Sequence, residues 1–142
     1  MTEIVVESSI AAPPQRVWDV LIDHEGMTRW LPVREVVRRR PGTTDPNGVG
    51  AVRTIRGMGL VIEERVTEAK APERLAYELT AGAPLRDHRG EVTLTMEPGG
   101  TRVRWTVRFR PLVPGTGWLL AFALKRSLAS GLDGLARIVT TG

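Results

Sequence analysis

Nine residues late in the chain constrain it most. In "RVRWTVRFR", Val103, Trp105, Val107 and Phe109 alternate with Arg102, Arg104, Arg108 and Arg110 around a polar Thr106. Side chains of a strand point to opposite faces with a period of two. This stretch therefore has one apolar face and one charged face, and it belongs in a sheet that is dry on one side and wet on the other. Half-wet sheets are antiparallel as a rule, and their dry side must be covered by another layer.

Neighbouring segments read the same way. "EIVVESSI" places Ile4, Val6 and Ile10 on one face, with Ser8 the weak member. "VREVVRRR" is a strand with a weaker pattern, and "VRTIRGMGLVIEER" (residues 52–65) is a hairpin around a Gly-Met-Gly turn. Leu75, Tyr77 and Leu79 share a face of the next strand, and His88, Val92, Leu94 and Met96 share a face of the one after it. "PGTTDPNGVG" and "AGAPLRD" are loops, dense in turn residues. Pro14 fits the first turn of a helix that carries Val17, Val20 and Leu21, and a short helical piece holding Met27 and Trp30 follows Gly26. From about Thr116 to Val139 the chain reads as one long helix with Ala121, Leu124, Leu128, Leu132, Leu135 and Val139 at steps of three or four. Gly131 and Gly134 inside it imply close backbone approach or a bend, since glycine costs a helix about 1 kcal/mol relative to alanine. Its first half, "WLLAFAL", is apolar all round, which implies cover on more than one side. The order is one strand, a short helical pair, about six strands joined mainly by hairpins, and a long final helix. That helix is the one element long enough to cover the sheet.

A chain of 142 residues with 42% apolar content suits one domain over residues 1–142. No apolar run reaches the length of a membrane span, and the first residues lack the features of a secretory signal. Cysteine is absent, which removes disulfides, thiolate metal sites and a cysteine nucleophile and fits a cytoplasmic protein. The net charge of +4 comes almost wholly from arginine and is spread along the chain, as on an arginine-rich surface. Nucleic-acid binding would need aromatic residues among the arginines of the wet face; the aromatics lie on the other face.

Residues Ile10, Ala12, Pro13, Val17 to Leu21, Asp23, Trp30 and Pro32 resemble the opening of the polyketide cyclase/dehydrase and lipid-transport family, within the START/Bet v 1-like (SRPBCC) superfamily. "PERLAY" (Pro72 to Tyr77) and "GGTRVRW" (Gly99 to Trp105) resemble its middle and late signatures, so the likeness covers nearly the whole chain. The resemblance implies an α+β helix-grip fold: a curved antiparallel sheet of about six to seven strands around a long C-terminal helix, with a cavity between them. Members bind lipids, sterols, polyketides, hormones or quinones, and some cyclise or dehydrate polyketides. The fold does not choose among these.

The 52–65 hairpin puts an arginine and a glutamate on the face that carries two isoleucines. With a two-residue turn at Met58-Gly59, Ile55 meets Ile62, Arg53 meets Glu64, and Ala51 meets Val66. A three-residue turn would oppose Arg53 to Arg65, a like-charge pair. The first register turns two misplaced charges into one cross-strand pair. Three readings of that pair stand: an internal salt bridge complete in itself, a polar anchor for a ligand, or a wet pair at the sheet edge. Tyr77 is either a core tyrosine or a cavity residue. His88 is either exposed at a strand start or, if it lines the cavity, the one neutral-pH acid or base there. Arg86 follows a loop and is solvated. Trp18 reads as partly buried packing, Trp105 as core or cavity wall, and Trp118 as a cap on one end. By the resemblance, Trp30 borders the cavity mouth. Asp23, His24 and Glu25 read as the turn that ends a helix; three adjacent residues do not easily face one ion.

No nucleophile elbow, phosphate loop, dinucleotide fingerprint or zinc-protease motif occurs, and no cofactor or metal is expected. Two classes of function remain. In the first, the cavity binds a small, largely apolar ligand contacted by Arg53, Glu64, Ile55, Ile62, Tyr77, His88, Trp105, Trp30, Leu124 and Leu128. In the second, a polyketide cyclase or dehydrase uses the same cavity, with Arg53 polarising a carbonyl and His88 or Glu64 moving a proton. A macromolecule-interaction module is a weaker third. A monomer or a homodimer fits each of them, without stable membrane insertion.

Overall fold

The structure is a computed structural model that describes residues 1–57 and 59–141. Strand β1 (Thr2–Ile10) is followed by helix α1 (Pro14–Leu21) and a 3-10 helix (Glu25–Arg29). Strands β2 (Glu35–Arg40), β3 (Val52–Gly57), β4 (Leu60–Lys70), β5 (Arg74–Ala81), β6 (Leu85–Glu97) and β7 (Gly100–Pro111) come next, and α2 (Gly117–Thr140) closes the chain. The seven strands form one antiparallel sheet in the order β1-β7-β6-β5-β4-β3-β2. It is a meander from β2 to β7, with β1 added beside β7. Irregularities of register in the β2/β3, β4/β5 and β6/β7 pairs bend it. This is the helix-grip arrangement, with α2 on the concave face.

The alternation of β7 decides which face is which. Val103, Trp105, Val107 and Phe109 are buried under α2. On the outer face Arg102 and Arg104 pair with Glu7, Arg108 with Glu3 and Arg110 with Asp87. The arginine stripe is thus matched by carboxylates of neighbouring strands. Ion pairs this exposed contribute about 0–1 kcal/mol each.

The core side of α2 holds Leu128, Leu132, Leu135 and Val139, as the spacing predicts, with Ala121 and Leu124 partly buried. Gly131 and Gly134 inside the helix mark close approach. A Cβ on Gly134 would lie 2.5 Å from the Trp30 carbonyl oxygen, and one on Gly131 would lie 2.7 Å from Leu31 Cδ2. Trp30 and Leu31, the residues just after the 3-10 helix, lie directly against α2 through these two gaps.

Several expectations fail for identifiable reasons. The first half of α2 is covered on one side alone: Leu119 and Phe122 are exposed, and Trp118 is 74% exposed and caps nothing. Trp18 is buried, because α1 is pressed between the sheet and α2 and covers Val17, Trp18 and Leu21 together. Met96 lies near the end of β6 and is exposed despite its apolar parity. Strand β6 begins at Leu85, three residues before His88, and a register shift between Arg86 and Arg89 surrounds Asp87, whose φ is 52°. This bulge separates the two: Arg86 is exposed, as its place after a loop implies, while His88 turns inward and is not exposed at the strand start.

Candidate functional site

The β3–β4 register is the one the charge argument favours. Ile55 pairs with Ile62, Arg53 with Glu64 and Gly57 with Leu60. Two residues therefore join the strands; of these, Met58 lies outside the described residues and Gly59 has a φ of 75°. Arg53 and Glu64 face α2 and are almost fully buried, at 2% and 5% exposure. The wet-edge reading is thereby removed.

Arg53 is held on every side. Its Nε and Nη2 both donate to Glu64 Oε1, at 3.0 and 2.8 Å. Its Nη1 donates to His24 Nδ1 at 3.0 Å and to Met27 Sδ at 3.2 Å. Its guanidinium carbon stands 5.0 Å from the centroid of the Tyr77 ring, a cation–π distance. A buried charge needs this much: without partners it would cost several kcal/mol.

His24 is the residue that sequence reasoning misplaced. "DHE" reads as a helix-ending turn, yet His24 precedes the 3-10 helix, is fully buried, and bridges two elements. Its Nε2 lies 2.9 Å from the Asn47 carbonyl oxygen, in the 41–50 loop. Arginine only donates and a carbonyl only accepts, so Nδ1 is the bare nitrogen and Nε2 carries the proton. The ring is neutral. Burial first, then the adjacent Arg53 charge, lowers its pKa to about 3. Asp23 turns away toward Arg29 at 3.6 Å, so "DHE" does not converge on one point. A signal for His24 was present: one carboxylate oxygen cannot satisfy five guanidinium N–H groups, so a second acceptor near Arg53 was required.

Tyr77 lies beside this group on β5. It pairs with Gly90 of β6, and a Cβ on Gly90 would fall 2.2 Å from Tyr77 Cζ. The missing side chain gives the ring its place across the sheet. Trp105 Nε1 donates to the Tyr77 hydroxyl at 2.9 Å. Burial, aided by the Glu64 charge, raises the phenol pKa well above its ordinary value, so the hydroxyl keeps its proton. His88 lies 6.0 Å from Tyr77 between ring centroids. It is 8% exposed, its Nδ1 has no hydrogen-bond partner among the described residues, and burial lowers its pKa.

These residues line a cavity of about 150 Å³ between the concave face, residues 31–33 and α2. Arg53, Glu64, Tyr77, His88 and Ser127 form its polar part. Ile55, Ile62, Trp105, Leu124 and Leu128 contribute apolar wall, to which Leu31, Pro32, Leu60, Ala83 and Leu85 add. Trp30 is the exception among the expected contacts. It lies behind the wall, 6.1 Å from Trp105, because Gly134 admits its backbone close to α2. Its indole N–H has no acceptor among the described residues. A larger depression of about 360 Å³ lies on the other face around Arg74. It is open and charged, and ion pairs of Arg74 with Glu68 and Glu91 run across it, so it encloses nothing apolar.

Structures similar to this one are well represented. A protein from Thermobifida fusca, solved by solution NMR, is 26% identical with a TM-score of 0.81, covering 98% of this chain and 93% of that one. A crystallised protein from Thermus thermophilus is 24% identical with a TM-score of 0.79, covering 97% of each chain. A START superfamily protein from Mycobacterium smegmatis is 12% identical with a TM-score of 0.82, covering 96% of each chain. No curated protein matches the chain in sequence. The sequence model of one family, described as polyketide cyclase / dehydrase and lipid transport, matches residues 1–140. With that match over nearly its whole length, the chain belongs to the polyketide cyclase/dehydrase and lipid-transport family.

Proposed function

We propose that the protein binds a small, largely apolar ligand in the cavity between the sheet and α2. The observation that carries this reading is the composition of the wall. It is apolar except for Arg53, Glu64, Tyr77, His88 and Ser127, and Arg53 and Glu64 are already hydrogen-bonded to each other. Burial of the ligand would supply the affinity, at roughly 25 cal/mol per Å² of apolar surface. The family description, which includes lipid transport, supports the same class of ligand.

The geometry favours binding over cyclase or dehydrase chemistry. General acid–base catalysis of that kind is served by an acid and a base within hydrogen-bond reach of each other at the cavity. Both ring nitrogens of His24 are engaged, by Arg53 and Asn47, and His88 forms no hydrogen bond with Glu64. Native mass spectrometry of the purified protein tests the reading. A co-purifying apolar adduct is expected, and Ala83→Trp, which adds an indole to the cavity lining, removes it. A protein that carries no adduct, and whose melting temperature no apolar compound raises, refutes the proposal.

A further inference from the structure

Resting on that reading of the cavity, we infer that it selects a neutral ligand bearing a hydroxyl on an apolar body, a phenol or alcohol, over a carboxylate of the same shape. Charge makes the first part of the argument. Arg53 is the one cation among the described residues lining the cavity, and four of its five N–H groups are directed to Glu64, His24 and Met27. Its charge is balanced by Glu64 at 2.8 Å. An incoming carboxylate would meet no unmatched cation and would lie beside an existing anion. Bringing a second negative charge into so buried a site is strongly unfavourable.

Hydrogen-bonding capacity makes the second part. Both bonds from Arg53 fall on Glu64 Oε1, so Oε2 takes no hydrogen bond among the described residues. The Tyr77 hydroxyl accepts from Trp105, and among the described residues no hydrogen bond uses its own proton. His88, also in the lining and more than nine-tenths buried, has an Nδ1 without a partner among the described residues. These three groups are one charged acceptor, one donor and one nitrogen that serves as either. A hydroxyl donates once and accepts twice, which answers these groups; a carboxylate only accepts and leaves Glu64 Oε2 unmet. Size makes the third part. About 150 Å³ is the volume of an apolar cavity that holds benzene, so the enclosed space takes about one ring. The remainder of a longer ligand would leave past Leu60 and Pro32, the exposed residues of the lining.

The test compares three probes of one shape at neutral pH: 4-ethylphenol, 4-ethyltoluene and 4-ethylbenzoate. Affinities are measured by calorimetry on the wild-type protein, on His88→Leu and on the paired replacement Arg53→Met with Glu64→Leu. A hydrogen bond to a charged group corresponds to roughly a tenfold or larger change in affinity. The phenol should bind the wild type at least tenfold more tightly than the benzoate. The preference for phenol over toluene should fall about tenfold in the paired variant and severalfold in His88→Leu. That preference is a ratio within one protein, so a change in stability does not move it. Benzoate binding as tightly as phenol overturns the inference. So does a phenol-to-toluene ratio that is equal in all three proteins, and in that case the cavity reading survives. Failure of all three probes to bind the wild type overturns both.

Discussion

Acid should destabilise this protein through His24. The folded ring titrates at about 3, against 6.5 for an ordinary histidine. As pH falls below 6.5 the unfolded chain takes up a proton that the folded chain refuses, so the equilibrium moves toward unfolding. The folded pKa is the depressed one, so this contribution is complete above pH 6.5 and is lost progressively as pH falls toward 3. Between pH 7 and pH 5 the linkage relation gives a loss of about 2 kcal/mol from this one residue. That is a large part of the 5–15 kcal/mol typical of a domain.

The assay is urea denaturation at half-unit steps across that pH interval, on the wild type and on His24→Asn. Asparagine keeps an acceptor near the Nδ1 position for Arg53 and cannot take up a proton. The variant loses the link to the Asn47 carbonyl and is less stable at every pH; the slope against pH is the readout. His88, whose pKa burial also lowers, acts in the same direction but is present in both proteins and cancels in the difference. The two curves should converge by about 2 kcal/mol on going from pH 7 to pH 5. Parallel curves would refute the placement of a neutral, buried histidine between Arg53 and Asn47.

Other expectations follow from single contacts. Arg53→Met leaves the Glu64 charge uncompensated and should cost about 3–5 kcal/mol; adding Glu64→Leu should restore most of that loss, which equilibrium unfolding of the three variants measures. Gly134→Ala would be stabilising by about 1 kcal/mol on helix propensity alone, but its Cβ would stand 2.5 Å from the Trp30 carbonyl. A net loss of about 1–3 kcal/mol is expected instead, and a raised melting temperature would contradict that packing. Gly90→Ala should displace the Tyr77 ring and break its bond from Trp105, seen as a large shift of the Trp105 indole N–H resonance. Arg102→Ala on the outer face should change stability by no more than about 1 kcal/mol, since its pair with Glu7 is exposed.

The layout of the fold was legible because its signals are periodic and local. Alternation in β7 identifies the dry face, the hairpins make the sheet antiparallel, and one long apolar stripe names the covering helix. The Arg53–Glu64 register was legible for a related reason: a shift by one residue would have opposed two arginines. Exposure at the start of α2 was less so. "WLLAFAL" is apolar on every side, and apolar composition alone does not say how many sides are covered. The sheet reaches Leu120, Ala121 and Leu124 and leaves Trp118, Leu119 and Phe122 outside.

The site was half legible, and the missing half has a physical cause. Strand parity is a local rule, and it holds until a bulge inserts a residue. At Asp87 such a bulge separates Arg86 from His88, so two residues of one parity part company. His24 was hidden by a different limit. Its role depends on Arg53, 29 positions away, and on a loop carbonyl at Asn47. No spacing rule joins a turn, a strand and a loop. What does join them is the need of a buried guanidinium for more acceptors than Glu64 supplies. Counting unmet donors, once the register had buried Arg53, would have directed the search to His24 and Met27. It would not have singled out Glu64 Oε2, because the choice of one oxygen for both bonds is a matter of side-chain geometry. That choice decides whether the pair is closed on itself or still has an acceptor for a ligand.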